Sequence, residues 1–431
     1  MTMSTIRRKD NKGRVLNENE FQKSDGRYEY RYYDANDNFR SIYSWRLTDS
    51  DRLPKGKREC KPLREMIKEI TKAEIDDIDV YMAEHTSLNE YFDKYMKTKS
   101  DLRQSTKNNY IYMYNSHIRE DLGNRKLAKF KYSTILTFYK QLIYEKKFKP
   151  NSMEIFHTIL HPIFETAVED GIIRVNPTKR AMKKIRELDE FKKKPKRDSL
   201  ELEQQKAFMN YIRNHKTYKK WNGVFTFFFG TGVRVSEFCG LTWDNCDFKH
   251  NTIKIEKNLV YRPQYEQHST TGKSKKDVAD LKTITSHRII PMFDEVRTAL
   301  LEEKERQEQN GIKGQEICGV SNWVFLNRYN APFLPASINR AIERIVLEYN
   351  KEETEKAKGE NRDPLLLPKF SAHIMRHTFC TRLCENEPRV KIIQEIMGHA
   401  SIETTMDIYN TVTQKLKQET FQTLQGKFYI A

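Results

Sequence analysis

Ser371-Ala-His373-Ile-Met-Arg376-His377-Thr-Phe, then Met397-Gly-His399-Ala-Ser, then Asp407-Ile-Tyr409-Asn, stand in order near the C-terminal end of the chain. Histidine, arginine, histidine and tyrosine in this order point to phosphodiester chemistry. A guanidinium fork holds two non-bridging oxygens of a phosphate at once, an imidazole donates to them or moves a proton, and a phenol attacks phosphorus to make a covalent ester. No metal is needed for that division of labour. Alone, His-x-x-Arg is expected about once by chance in a chain of this size, so its surroundings decide. Upstream, Gly230-Thr-Gly-Val-Arg234-Val-Ser236-Glu237-Phe-Cys-Gly-Leu241 sets an arginine at a helix start after a glycine break. Glu237, just after it, is spaced to orient that guanidinium from behind, as a buried charge requires.

The 431 residues exceed one ordinary core, and two or three domains are expected. The 77 Lys and Arg against 60 Asp and Glu leave a formal charge of +17, which favours a polyanionic partner: nucleic acid first, an anionic membrane second. No apolar run reaches the length of a bilayer span, and Met1-Thr-Met-Ser-Thr-Ile-Arg-Arg-Lys-Asp lacks the apolar centre of a secretory signal. A soluble, intracellular protein is expected. Cys60, Cys239, Cys246, Cys318, Cys380 and Cys384 form no Cys-x-x-Cys pair and no metal-ligand spacing, so they read as reduced thiols. Cys380 and Cys384, four apart on a helix, read as buried small residues rather than a redox pair.

Residues 1–80 carry a period-two pattern. Tyr28, Tyr30 and Tyr32 share a face, and after the Asp34-Ala-Asn-Asp-Asn38 turn Phe39, Ser41, Tyr43 and Trp45 alternate with Arg40, Ile42, Ser44 and Arg46. This predicts a small sheet with one aromatic face and one polar face carrying arginines, Arg27, Arg31, Arg40 and Arg46 being the candidate DNA contacts, followed by a helix from Leu63. Solvated arginines on a plain folding module remain the alternative. Residues 81–178 change to helical period: Leu88, Tyr91, Phe92, Tyr95 and Met96 follow a Ser87 and Glu90 capping box, and three further stripes end at Asp170-Gly171. The tyrosines there read as core. Residues 179–198 hold Lys192, Lys193, Lys194, Lys196 and Arg197 with little apolar patterning, a basic linker suited to phosphate contact. In residues 199–431 the run Val224-Phe-Thr-Phe-Phe-Phe229 must be buried, and Thr252-Ile-Lys-Ile-Glu256 and Ser286-His-Arg-Ile-Ile-Pro291 read as strands flanking a polar excursion from Arg262 to Asp280.

Gly-Thr-Gly-Val-Arg234-x-Ser-Glu, Lys282-Thr before a strand ending in Ile-Pro, His373-x-x-Arg376-His-Thr, Gly-His399 and Tyr409 together resemble the catalytic signature of the tyrosine recombinases. The segment ending Glu169-Asp-Gly171-Ile-Ile-Arg-Val-Asn-Pro177 resembles that family's core-binding domain. The stretch from Arg8-Lys-Asp-Asn-Lys-Gly-Arg14 to Arg58-Glu-Cys60 is similar to the arm-binding domain of integrases from conjugative transposons. The resemblance implies a multidomain, mainly α fold with small β-sheets: a three-stranded arm-binding domain, a helical core-binding domain and a mostly helical catalytic domain. It also implies the roles. Tyr409 is the nucleophile that leaves a 3′-phosphotyrosyl bond, Arg234 and Arg376 clamp the non-bridging oxygens, Lys282 in a β-hairpin protonates the departing 5′-oxygen, His373 assists deprotonation of Tyr409, and His399 donates to the phosphate.

No metal or cofactor is implied. The implied partners are double-stranded DNA at element ends, arm sites and target, three further copies of the chain in a tetramer that passes through a Holliday junction, and accessory excision or bending factors. The implied location is the bacterial cytoplasm, at the nucleoid. A non-enzymatic architectural DNA-binding protein, or a resolvase or invertase of the same chemistry, are the rival readings. Two features depart from the family pattern: the excursion before Lys282, and a charged insert from Lys351 to Asp363-Pro364, expected as a surface loop. The apolar tail Phe421, Leu424, Phe428, Tyr429 and Ile430 is read as closing its own domain or docking on a neighbouring copy.

Overall fold

The computed structural model describes residues 8–34, 38–75, 78–189, 199–265, 272–280 and 286–412. The chain divides into two compact units, residues 1–194 forming the body of the first and residues 195–264 with 273–431 the second.

In the first unit, β1 (Glu20–Gln22), β2 (Tyr28–Tyr33) and β3 (Phe39–Ser44) pair antiparallel in chain order. The register sets Tyr28 opposite Ser44, Tyr30 opposite Ile42 and Tyr32 opposite Arg40. Residues directly opposite share a face, so the expected split into an aromatic and an arginine face is corrected. Arg40 lies on the tyrosine face, while Phe39 and Tyr43 share the other with Arg31. The tyrosine face meets α1 (Leu63–Ile75). There Leu16, Tyr28, Leu47 and Leu63 form a small core.

The rest of this unit is helical, with α2 (Val80–His85), α3 (Leu88–Thr98), α4 (Gln104–His117), α5 (Tyr132–Tyr144), α6 (Pro150–Glu169) and α7 (Ala181–Arg186). At the start of α3, Glu90 N donates to Ser87 Oγ at 3.2 Å and Ser87 N donates to the Glu90 carboxylate at 2.6 Å. Both halves of the capping box are therefore made. Tyr91, Tyr114 and Tyr139 are buried, and the Tyr114 ring stacks on Phe92 at 3.6 Å. These tyrosines are packing residues, as their helical spacing predicts.

The second unit contains α8 (Leu202–Asn214), α9 (Asn222–Thr231), α10 (Val235–Cys239), α11 (Asp294–Gln309), α12 (Pro335–Gly359), α13 (Ala372–Asn386) and α14 (Val390–Met397). A last helical segment, α15, covers 402–412. β4 (Cys246–Asp247), β5 (Thr252–Ile255) and β8 (Arg288–Pro291) form one antiparallel sheet. The polar excursion between the two predicted strands is itself a strand pair, β6 (Lys257–Tyr265) with β7 (Gly272–Asp280). The charged insert is not a loop at its start: α12 runs through to Gly359 before the chain turns, and Arg362 then binds Glu353 at 2.6 Å and Glu360 at 2.6 Å.

Phe225, Phe227 and Phe228 on α9 have no exposed surface and centre the core of this unit. Burying each such ring stabilises the fold by about 2–3 kcal/mol. All six cysteines are unbridged, with Cys380 and Cys384 buried. Among the described residues no helix is long and apolar enough to cross a membrane.

Candidate active site

Two helix ends build the site. α9 stops at Gly232, in the left-handed region at φ 58°. A Cβ there would fall 2.3 Å from the Phe379 ring on α13, so only glycine allows the approach. That approach lets Arg376, four per cent exposed, donate from Nη1 to the Gly232 carbonyl at 2.7 Å. α14 stops at Gly398, also left-handed at φ 63°. Its last carbonyls have no partner within the helix and carry the negative end of its dipole. Arg376 Nη2 donates to the Met397 carbonyl, and Arg234 Nη2 donates to the Gly398 carbonyl at 2.8 Å.

Glu237 stands behind Arg234 as its spacing predicts. Its Oε1 accepts from Arg234 Nη1 at 2.6 Å, and its Oε2 accepts from the Arg234 backbone N at 2.8 Å. The side chain is one per cent exposed. Burial alone would raise its pKa, but hydrogen bonds and charge from Arg288, followed by the charges of Arg234 and Arg376, hold it down at about 2.

His399 is nine per cent exposed. Its Nδ1 is 2.9 Å from the Thr405 hydroxyl, and its backbone is tied to Gln394 in both directions. Burial, with Arg376, Arg234, Arg288 and His373 nearby, lowers its pKa to about 3. The ring is therefore neutral near pH 7. Where the Thr405 hydroxyl is the donor of this bond, the ring keeps its proton on Nε2; where Nδ1 is the donor, Nε2 is an acceptor. His373 is exposed at the start of α13. Burial, then the nearby Arg234, also pulls the Arg376 pKa down, to about 9; the site holds more positive charge than it neutralises.

Tyr409, on α15, is half-buried and packs against the cluster of Phe379, Cys380, Cys384, Ile393, Met397 and Val412. Three of those residues lie on α13, the helix of His373 and Arg376. Lys282, the linker residues Lys192, Lys193, Lys194, Lys196 and Arg197, and the apolar tail lie outside the described residues.

In the N-terminal sheet, Arg27 lies over the rings of Tyr43 and Trp45, and Arg31 over Phe21. Arg40 is engaged within the fold, donating to Asp34 at 2.8 Å and stacking on Tyr81 at 3.9 Å. Arg46 donates twice to the Cys60 carbonyl.

Sequence reasoning missed Arg288. It is eight per cent exposed and grips Glu237 with both terminal nitrogens, at 2.8 and 3.2 Å. A signal was present: the parity that buries Ile290 also buries Arg288 and leaves Ile289 61% exposed. An arginine on the inward side of a strand requires a buried carboxylate. Elsewhere His215, Glu348 and Glu352 come within metal-ligand reach of one another. His215 Nδ1 accepts from the backbone N–H groups of Thr217 and Tyr218, which keeps the proton on Nε2, facing Glu348. With Nε2 protonated, 3.9 Å from the nearest Glu348 oxygen and so outside hydrogen-bond reach, the ring is not set as a metal ligand.

Residues 198–415 match the phage integrase family, residues 3–74 the DNA binding domain of Tn916 integrase, and residues 87–143 the phage integrase N-terminal SAM-like domain. The chain is 30% identical over 407 residues to the transposase from transposon Tn916 of Enterococcus faecalis, covering 94% of each. It is equally similar to the transposase from transposon Tn1545 of Streptococcus pneumoniae, at 30% over 94% of each. Residues 82–397 of the Tn1549 transposon integrase, solved in complex with a circular intermediate DNA, match with a TM-score of 0.64 at 25% identity, over 77% of this chain and 99% of that one. The chain belongs to the phage integrase family. It is a tyrosine-type site-specific DNA recombinase related to the integrases of conjugative transposons.

Proposed function

We propose that this recombinase integrates and excises a conjugative transposon through a 3′-phosphotyrosyl intermediate and a Holliday junction. The observation that carries this reading is the surplus of positive charge where the buried Arg376 and the half-buried Arg234 meet at the end of α14, beside the neutral His399, with His373 on the helix of Arg376 and Tyr409 packed against that helix. Such an arrangement suits a phosphate whose negative charge grows in the transition state.

In this reading Arg234 and Arg376 grip the non-bridging oxygens and His399 donates from Nε2. Tyr409 loses its phenolic proton with the help of His373 and attacks phosphorus. The bond to the 5′-oxygen breaks, and Lys282 gives that oxygen a proton, a contribution of about 10²–10⁴ in rate. One ester replaces another, so rejoining consumes no nucleotide.

Residues 81–178 and 199–431 would close around the core duplex, with the linker lysines 192–194 and 196 and Arg197 on its phosphates. Residues 1–80 would bind separate arm sites. Arg27, Arg31, Arg40 and Arg46 are the candidates for DNA contact there; each already meets a partner within the fold, Arg27 pairing with Asp25 and Arg31 with Glu29 as Arg40 does with Asp34, and Arg27 and Arg31 share the face of the sheet opposite the one that meets α1. Four protomers would exchange strands in pairs at the nucleoid, with accessory factors choosing between integration and excision.

Covalent trapping tests the reading. The protein and its Tyr409→Phe variant are incubated with nicked duplexes carrying element-end sequences, without magnesium. A denaturant-resistant adduct with the wild type alone supports it. Tight binding without an adduct from either protein favours an architectural DNA-binding role.

A further inference from the structure

Three consecutive carbonyls at the end of α14 each accept from a different guanidinium. Ile396 receives Arg288 Nε at 2.8 Å, Met397 receives Arg376, and Gly398 receives Arg234 at 2.8 Å. Arg288 also donates to the Ser286 carbonyl at 3.1 Å. It therefore joins the start of β8, the Glu237 helix and the turn that carries His399. All of its donor groups face protein, and its side chain is four per cent exposed, against 35% for Arg234.

We propose that Arg288 is a positioning residue of the cleavage reaction. It cancels the charge of Glu237 and fixes the Ile396–Gly398 turn, so that Arg234 and Arg376 meet the scissile phosphate as two uncancelled, pre-set forks. This rests on the assignment of those two arginines to the phosphate. The charge count supplies the reason. With Arg288 in place, three guanidiniums face one carboxylate, and the excess matches the negative charge that builds on the non-bridging oxygens as Tyr409 attacks. Without Arg288, Glu237 neutralises Arg234 and half the clamp is lost. The carboxylate is still needed, because its two oxygens hold both the Arg234 fork and the Arg234 backbone N–H.

The test compares nicked duplexes that carry either a phosphodiester or a neutral methylphosphonate at the scissile position, using the full chain. The variants are Arg288→Met, Arg288→Lys and the double variant Arg288→Met with Glu237→Gln, each checked for folding by its melting curve. Arg288→Met should slow adduct formation on the phosphodiester by about 10²-fold, the loss typical of one displaced oxyanion donor. On the methylphosphonate, which develops less charge, the same variant should lose less than about fivefold on that reasoning. The double variant restores the charge count and should recover at least about tenfold on the phosphodiester. It also removes the unpaired buried carboxylate, so it reads the effect if Arg288→Met does not fold. Arg288→Lys, which keeps the charge but not the fork, should fall between wild type and Arg288→Met.

Equal losses on both substrates, no loss on either, or a folded double variant no faster than a folded Arg288→Met would overturn the proposal. If only the double variant folds, phosphodiester cleavage below about one-hundredth of wild type does the same. Absence of a Tyr409-dependent adduct with the wild type is a different failure: it removes the catalytic assignment itself.

Discussion

Glu237 and His399 are depressed titrations at one site, and both tie stability to pH with the same sign. Glu237 has its folded pKa lowered to about 2, so the stability it confers is present above its ordinary value and is lost as pH falls toward 2. His399, lowered to about 3, is neutral when folded and takes up a proton when unfolded below about pH 6.5. Its contribution is present above that value and is lost as pH falls toward 3. We expect the urea midpoint of the wild type to drop from pH 7 to pH 5, and His399→Asn to flatten that drop; an unchanged slope would refute the assignment. Glu237→Gln leaves Arg288 buried without its counter-charge and should destabilise the protein by about 3–5 kcal/mol, read from the same unfolding curves.

Between elements, the Gly232 contact of α9 with α13 couples packing to the position of Arg376. Gly232→Ala places an L-residue in the left-handed region, costing about 1–2 kcal/mol, and drives a methyl into Phe379. α13 must shift, so the rate of adduct formation should fall by at least about tenfold while equilibrium DNA affinity changes little, as expected when a positioning contact moves by a fraction of an ångström. Equal losses in both would mean that the glycine serves the fold alone. In the N-terminal sheet, Arg31→Ala should weaken arm-site binding and lower the melting temperature only by what the Glu29 pair and the Phe21 stack contribute. Arg40→Ala, which loses Asp34 and the Tyr81 stack, should lower the melting temperature more than the affinity. The helical elements were legible in advance, since their stripes and the Ser87 box depend on residues within two turns of one another. The sheet faces were not: alternation fixes which residues of one strand share a side, but pairing across the 34–38 turn decides which sides meet.

For the whole molecule, the formal charge of +17 implies affinity that rests on phosphate contacts. Binding to element-end duplexes should weaken by at least about 10²-fold between 50 and 200 mM salt, the loss expected when several phosphates are neutralised. A flat salt response would show that base contacts or shape dominate instead. The sequence by itself determined the multidomain, mainly helical class and singled out Arg234, Glu237, Lys282, His373, Arg376, His399 and Tyr409 as the candidates for the site, because their identities and local spacings are written in the chain. Tertiary structure alone decided that Arg288 grips Glu237 and that the carbonyls of Gly232, Ile396, Met397 and Gly398 hold the guanidiniums. Every residue carries a backbone carbonyl. Only the folded arrangement of helix ends selects which of them a distant arginine can reach.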